Sequence, residues 1–268
     1  MDLCTNIKEV TSMSNTVLYE VKKNIAYITL NRPEKLNAFN LEMSFALRDT
    51  WKRFENDDAA KVAILNGNGK SFSVGVDLTG EDRKTGKAWQ YHEAYPLNGT
   101  ALFKPIVGAV RGYALGQGYL IAVTGCDITI ASDNAVFGYP ESKAGVAQIP
   151  PQYAPYMPFK IALEFMLLSW KGGRMMSAQR AMGFGLVNDV VPDADLMKEA
   201  EKWAEMLKNV PPLFVRSVKY GYYTQTERSV RRVEREYVNY VLPQELSEDR
   251  QEAVNAFVGK REPQFEGK

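Results

Sequence analysis

Two short apolar runs in this chain each lead into a turn built on glycine. Val62-Ala63-Ile64-Leu65 precedes Ser73-Val74-Gly75-Val76-Asp77-Leu78, and Ile106-Val107-Gly108-Ala109-Val110 precedes Gly112-Tyr113-Ala114-Leu115-Gly116-Gln117-Gly118. The runs read as strands, and the second turn opens the apolar, helix-like stretch Tyr119-Leu120-Ile121-Ala122-Val123. Glycine lets a backbone approach a ligand with no Cβ in the way, so each turn can aim an N–H into one shared pocket. Paired N–H donors suit a developing oxyanion. Downstream, Phe137-Gly138-Tyr139-Pro140-Glu141 sets a carboxylate among apolar neighbours, where loss of hydration raises its pKa toward the range useful for moving protons. Donors beside a tunable carboxylate point to enolate chemistry. Glu141 also admits a purely structural reading, as a helix-start residue behind Pro140 that satisfies backbone donors.

Around these turns the pattern is that of a layered α/β core. Val17-Leu18-Tyr19-Glu20-Val21 and Ile25-Ala26-Tyr27-Ile28-Thr29-Leu30 form a hairpin about Lys22-Lys23-Asn24. Asn40 caps a helix over Leu41 to Asn56, whose apolar face is Phe45, Leu47, Trp51 and Phe54. Later strands are expected at Ile106 to Val110, Asp127 to Ala131 and Leu186 to Val191. Helices are expected over Ala194 to Leu207, Pro212 to Tyr240 and Pro243 to Phe257. Thr79 to Leu102, which carries Trp89, Tyr91, His92 and Tyr95, follows the first donor turn directly, where loops shape substrate pockets.

Taken together, Asn31-Arg32-Pro33-Glu34-Lys35-Leu36-Asn37-Ala38-Phe39, the two turns, Cys126-Asp127, the Glu141 segment and the closing Lys260-Arg261-Glu262-Pro263-Gln264-Phe265-Glu266-Gly267 resemble the crotonase superfamily, the enoyl-CoA hydratases and isomerases. The likeness runs from Asn15 to the C-terminus. It implies an α/β spiral of ββα repeats over residues 15–192 that binds acyl-CoA, with a C-terminal helical trimerisation region over 193–268. Residues 1–14 are expected to be a disordered extension. The expected assembly is a homotrimer or a dimer of trimers.

Position by position, the resemblance makes the backbone N–H groups of Val76 and Gln117 the oxyanion donors and Glu141 the catalytic carboxylate. Relatives often have glycine where Gln117 stands, which raises the question of a clash with the thioester. Lys35, Leu36 and Ala38 would line the coenzyme A path, continued by Val74, Asp77 and Leu78, with Tyr113, Leu115, Gly116 and Pro140 around the thioester. Lys35 reads equally well as a surface charge. Phe257 and Lys260 match positions that in relatives reach a neighbouring subunit's nucleotide.

Two departures stand out. Hydratases carry a second glutamate after the other donor turn, but Leu120 and Ile121 are apolar here, in a run from Gly116 to Asp127 one residue longer than usual. Ile149-Pro150-Pro151-Gln152-Tyr153 replaces a glycine-rich turn, and two prolines remove two N–H donors. A lone carboxylate leaves open isomerisation of a 3-enoyl thioester, single-glutamate hydration, hydrolysis, decarboxylation or C–C lysis of a substituted acyl-CoA, or a CoA-binding subunit without chemistry. His92, Tyr237 and Tyr240 are further candidates whose simpler reading is a solvated loop and helix packing.

Composition excludes other classes. Over 268 residues, 33 Lys and Arg against 32 Asp and Glu give a net charge of +1, with no basic field to recommend nucleic acid or an anionic membrane. Alternating signs from Glu227 to Glu236, including Arg228, Arg231, Arg232 and Arg235, suit a solvated or intersubunit helix face. Two cysteines, Cys4 and Cys126, supply neither a disulfide framework nor a metal-ligand spacing, so a cytoplasmic protein without metal or redox cofactor is expected, coenzyme A entering only with the substrate. Residues 1–14 lack the charged and apolar regions of a secretory signal.

Overall fold

The computed structural model describes residues 14–79, 88–96, 102–143, 157–170, 174–222 and 246–267. The expectations for residues 1–13, for Ile149 to Tyr153, for Arg228 to Arg235, for Tyr237 and for Tyr240 lie outside them, as does the side chain of Trp89.

A six-stranded sheet forms the body. Its strands are β1 (Val17–Lys22), β2 (Ile25–Leu30), β3 (Val62–Gly67), β4 (Ile106–Val110), β6 (Ile128–Ser132) and β9 (Asp189–Val191), in the order β1-β2-β3-β4-β6-β9. β1 and β2 form the antiparallel hairpin, and Lys23 and Asn24 turn it with φ of 49° and 65°. The left-handed pair matches the right-handed twist of the flanking strands. All later neighbours run parallel. One face packs Ile25, Val62, Ile64, Val107, Ala109 and Ile130 against Leu196, Ala200 and Ala204 of α5 (Leu196–Lys208). The opposite face enters the main core with Ala26, Ile28, Ala63, Leu65 and Ile106. Burial on both faces is why these strands read as unbroken apolar runs.

The helix α1 (Leu41–Asn56) starts where Asn40 Oδ1 accepts from the Met43 N–H at 2.9 Å. Its buried face is Met43, Leu47, Trp51 and Phe54. Phe45, expected in that face, is half-buried with the Arg48 guanidinium 4.8 Å from its ring centre. Met43 takes its place because residues 43, 47, 51 and 54 follow the helical period and 45 does not.

A second sheet was not foreseen. Three-residue strands β5 (Tyr113–Leu115) and β7 (Val136–Gly138) run parallel and β8 (Met176–Ser177) closes the edge antiparallel, in the order β5-β7-β8. Ser73 extends this sheet through a parallel bridge to Ala114. The chain therefore visits the large sheet and then the small one in turn: β3 then Ser73, β4 then β5, β6 then β7. That alternation is the expected spiral.

The strand expected over Leu186 to Val191 is shorter. Leu186 closes α4 (Ala178–Gly183) by donating its N–H to Ala181 O at 3.0 Å, after Gly185 turns the chain with φ of 75°, so pairing begins only at Asp189. The remaining helices are α2 (Gln117–Tyr119), α3 (Phe159–Leu168), α6 over residues 212–222, and α7 (Glu248–Val258), whose start is set by the Ser247 cap rather than by Pro243. Among the described residues no helix is long and apolar enough to cross a membrane.

Candidate active site

Register in the small sheet brings distant turns together. Ser73, Ala114 and Phe137 lie side by side, and Val76, Gln117 and Glu141 follow them by three, three and four residues. Strands about 4.8 Å apart thus deliver the three candidate groups to one end of one sheet. Ligands in parallel α/β folds bind at the carboxyl ends of strands for the same reason.

Val76 is held by a second parallel bridge. Phe39 donates its N–H to Gly75 O at 2.7 Å and accepts from the Asp77 N–H at 2.8 Å, so Val76 turns its own N–H to the other side. Gln117 is the first residue of α2, where a helix leaves its N–H groups without an internal partner. Neither amide donates to a backbone acceptor among the described residues. Gly75 lets the turns touch: its φ is +90°, and a Cβ built on it would lie 2.9 Å from Leu115 O and 3.5 Å from Gln117 N.

The Gln117 side chain does not lie free in the pocket. It is buried, and its Nε2 donates to the Tyr91 carbonyl at 2.8 Å, which ties the donor turn to the helical segment Ala88–Ala94. The Gln117 side chain thus has a structural task.

Glu141 stands second in the single turn Pro140–Ser142 that follows β7. It occupies the helix start that the structural reading required, and its carboxylate nevertheless reaches over Gly116. A Cβ at Gly116, whose φ is +50°, would overlap Glu141 Oε1 and lie 3.0 Å from its Cδ. Glu141 Oε2 is shielded from solvent and has no hydrogen-bond partner among the described residues. Burial pushes this carboxyl up to about 8 from 4.5, offset in part by a bond from its own backbone N–H. Both protonation states are therefore populated near neutral pH.

The run from Gly116 to Asp127 continues from α2 as a π-helical turn over Leu120–Gly125. One additional residue per turn is what such a turn absorbs. Leu120 and Ile121 are buried in the apolar core. Glu141 stands as the carboxylate beside the donor turns, with no acid on that helix.

The residues expected along the coenzyme A path gather next to Val76. Val74 donates its N–H to Leu36 O at 3.2 Å, which lays the exposed Lys35 and Leu36 and the buried Ala38 along the 74–77 segment, with Leu78 half-buried beyond. Asn37 anchors this strip: its buried Nδ2 donates to Asn68 O and Ser71 O, both at 2.9 Å. Asp77 pairs with Arg32 at 3.2 Å and accepts from Thr79 N and Oγ1. Burial alone would raise its pKa, and these hydrogen bonds outweigh burial and lower it. Leu115 and Pro140 are half-buried beside Gly116 and Glu141, while Tyr113 is largely exposed. Phe257 and Lys260 lie at the exposed end of α7.

Sequence reasoning named Tyr95 only among pocket aromatics. Its hydroxyl is buried without a hydrogen-bond partner among the described residues, and Glu141 is near enough for its charge to raise the phenol further after burial has done so. Tyr139 feels the same carboxylate. No local pattern marks Tyr95, because its neighbourhood is assembled by tertiary contacts. His92 is exposed, with its ring stacked 5.6 Å from that of Tyr95.

Among the described residues no group of His, Cys, Asp or Glu is placed to hold a metal ion. A hollow of about 410 Å³ between the starts of β4 and β6 and helix α6 contains none of these site residues. Asp127 and Lys219 pair there at 2.8 Å, and burial raises the Cys126 thiol beside them.

Comparison with known proteins follows the same geometry. The family described as enoyl-CoA hydratase/isomerase matches residues 20–268. The (E)-benzylidenesuccinyl-CoA hydratase of Thauera aromatica is 34% identical over 265 residues, 94% of this chain and 99% of that protein. Carnitinyl-CoA dehydratase of Escherichia coli K12 is 34% identical over 271 residues, 96% of this chain and 100% of its own. Among solved structures, an enoyl-CoA hydratase/isomerase from Pseudoalteromonas atlantica superposes with a TM-score of 0.80 at 28% identity, over 94% of this chain and 100% of that one. A carnitinyl-CoA hydratase from Mycobacterium avium also gives 0.80, at 30% identity over 95% and 100%.

Proposed function

This chain belongs to the enoyl-CoA hydratase/isomerase family, the crotonase type, and is an enzyme of it; from that premise we propose that it adds or removes water at C3 of a substituted 2-enoyl-CoA with Glu141 as its single acid and base. One observation carries the reading: a buried carboxyl with a pKa raised to about 8 lies against Gly116, one residue from the donor Gln117. The names of the two curated relatives, a hydratase and a dehydratase of acyl-CoA thioesters, support the reaction type.

In hydration, the Val76 and Gln117 N–H groups polarise the thioester carbonyl. The Glu141 carboxylate takes a proton from water as the water oxygen bonds to C3, and the π pair moves to the thioester as an enolate. Protonated Glu141 returns that proton to C2. One water is added and the enzyme is unchanged; dehydration runs the steps backward. Donors fixed in a backbone cost no reorganisation and strengthen as the oxygen gains charge.

The test is turnover of a panel: a straight-chain 2-enoyl-CoA, (E)-benzylidenesuccinyl-CoA, carnitinyl-CoA and a 3-enoyl-CoA. Water addition or loss that falls by orders of magnitude in Glu141→Gln, with thioester binding retained, supports the reading. An unchanged rate removes Glu141 from the mechanism. Conversion confined to the 3-enoyl thioester replaces hydration by isomerisation, in which the same carboxylate moves a proton between C2 and C4. Assembly as a trimer or a dimer of trimers is part of the proposal, supported by the exposed Leu213, Phe214, Val218 and Tyr222 on α6, and light scattering in solution tests it.

A further inference from the structure

We propose that the Tyr95 hydroxyl holds the oxygen atom that is added to, or lost from, C3 of the substrate, the task left open by the apolar Leu120 and Ile121. The inference rests on the hydratase reading above and names a residue for it. A buried hydroxyl without a partner among the described residues calls for an explanation, because leaving one unsatisfied costs about 1–3 kcal/mol. Glu141 Oε2 is in the same condition. Glu141 lies near enough for its charge to act on the Tyr95 phenol, and a water oxygen or substrate hydroxyl held between two such unsatisfied polar atoms would satisfy both.

Tyr95 is placed rigidly enough for that task. Trp51 Nε1 donates to Ala94 O at 3.0 Å, and the Tyr95 N–H donates to His92 O at 3.1 Å. Gln117 holds Tyr91 O, so the residue that offers the oxyanion N–H also ties down the segment that carries Tyr95. Pro96 packs on Gly125, where a Cβ would lie 3.0 Å from its Cδ, at the end of the π-helical turn. The π-helical turn and the Gln117 side chain thus both bear on where Tyr95 sits.

The phenol keeps its proton, since burial and the Glu141 charge both oppose ionisation. Its role is to donate, not to act as a base. In hydration Tyr95 O–H donates to the attacking water while Glu141 accepts that water's proton; in dehydration it donates to the departing oxygen as Glu141 protonates it. No bond to Tyr95 is made or broken.

Tyr95→Phe removes one oxygen and keeps the ring that stacks on His92. On the panel substrate that wild-type protein turns over fastest, kcat for water addition or loss should fall about 10- to 100-fold while KM stays within about 3-fold. A second reaction separates this role from packing. Exchange of the C2 protons of a saturated acyl-CoA in D2O uses Glu141 and the backbone donors but no oxygen at C3, so it should stay within about 3-fold in Tyr95→Phe and vanish in Glu141→Gln. Wild-type hydration in Tyr95→Phe, or equal loss of hydration and exchange, overturns the role of Tyr95 and leaves the hydratase reading standing. Wild-type protein that neither hydrates nor exchanges overturns both.

Discussion

Replacing Glu141 by glutamine should stabilise the protein, and increasingly so as the pH rises. The carboxyl titrates at about 8 in the fold against 4.5 for an ordinary glutamate, because burial disfavours its charge. A group whose pKa is raised on folding contributes stability that is complete below the unfolded value and is lost as the pH climbs through the folded one. The amide of the Glu141→Gln variant has no such proton to lose. The stability gap between variant and wild type should therefore open at about 1.4 kcal/mol per pH unit between 4.5 and about 8, then level off at about 5 kcal/mol. Urea unfolding of both proteins from pH 5 to 9 reads it directly: between pH 5 and 8 the gap widens by roughly 4 kcal/mol. A gap that stays constant with pH refutes the buried-carboxylate argument, whatever its size. The variant that gains this stability should lose turnover, as a strained site predicts. In wild type, kcat/KM for hydration should rise with pH and level off above about 8, since the proposed base is the ionised carboxylate.

Gly116→Ala should remove most activity with little loss of binding: its Cβ would overlap Glu141 Oε1 at a φ of +50°, so either the carboxylate or the donor turn moves. A rate near wild type would mean that the carboxylate does not need that position. For the proposed oxyanion donors, Gln117→Ala keeps the amide and loses the bond to Tyr91 O, whereas Gln117→Pro removes the amide at a helix position where proline is tolerated. The proline variant should lose about 10²- to 10³-fold more kcat than the alanine variant; equal rates would take the Gln117 N–H out of the mechanism.

How much of this was readable in the chain depends on the range of the interaction. The helix Leu41–Asn56 was legible to its boundaries because Asn40 caps it locally, and the large-sheet strands because both of their faces are apolar. Leu186 misled because a run of apolar residues cannot report that Gly185 has spent its first members on closing a helix. The small sheet was invisible: strands of two or three residues carry no period, and β5 hid inside what read as a turn.

The order of residues alone settled the chemistry on offer: two turns able to present amides, a carboxylate among apolar neighbours and no acid at 120 or 121. These are properties of single positions and short spacings. That the two turns touch at Gly75, how far the carboxyl is stripped of water, where the Gln117 side chain goes and that Tyr95 lies within reach of the Glu141 charge were decided only when segments distant in the chain came into register. Desolvation and convergence are sums over neighbours from every layer, and no window along a chain contains those neighbours.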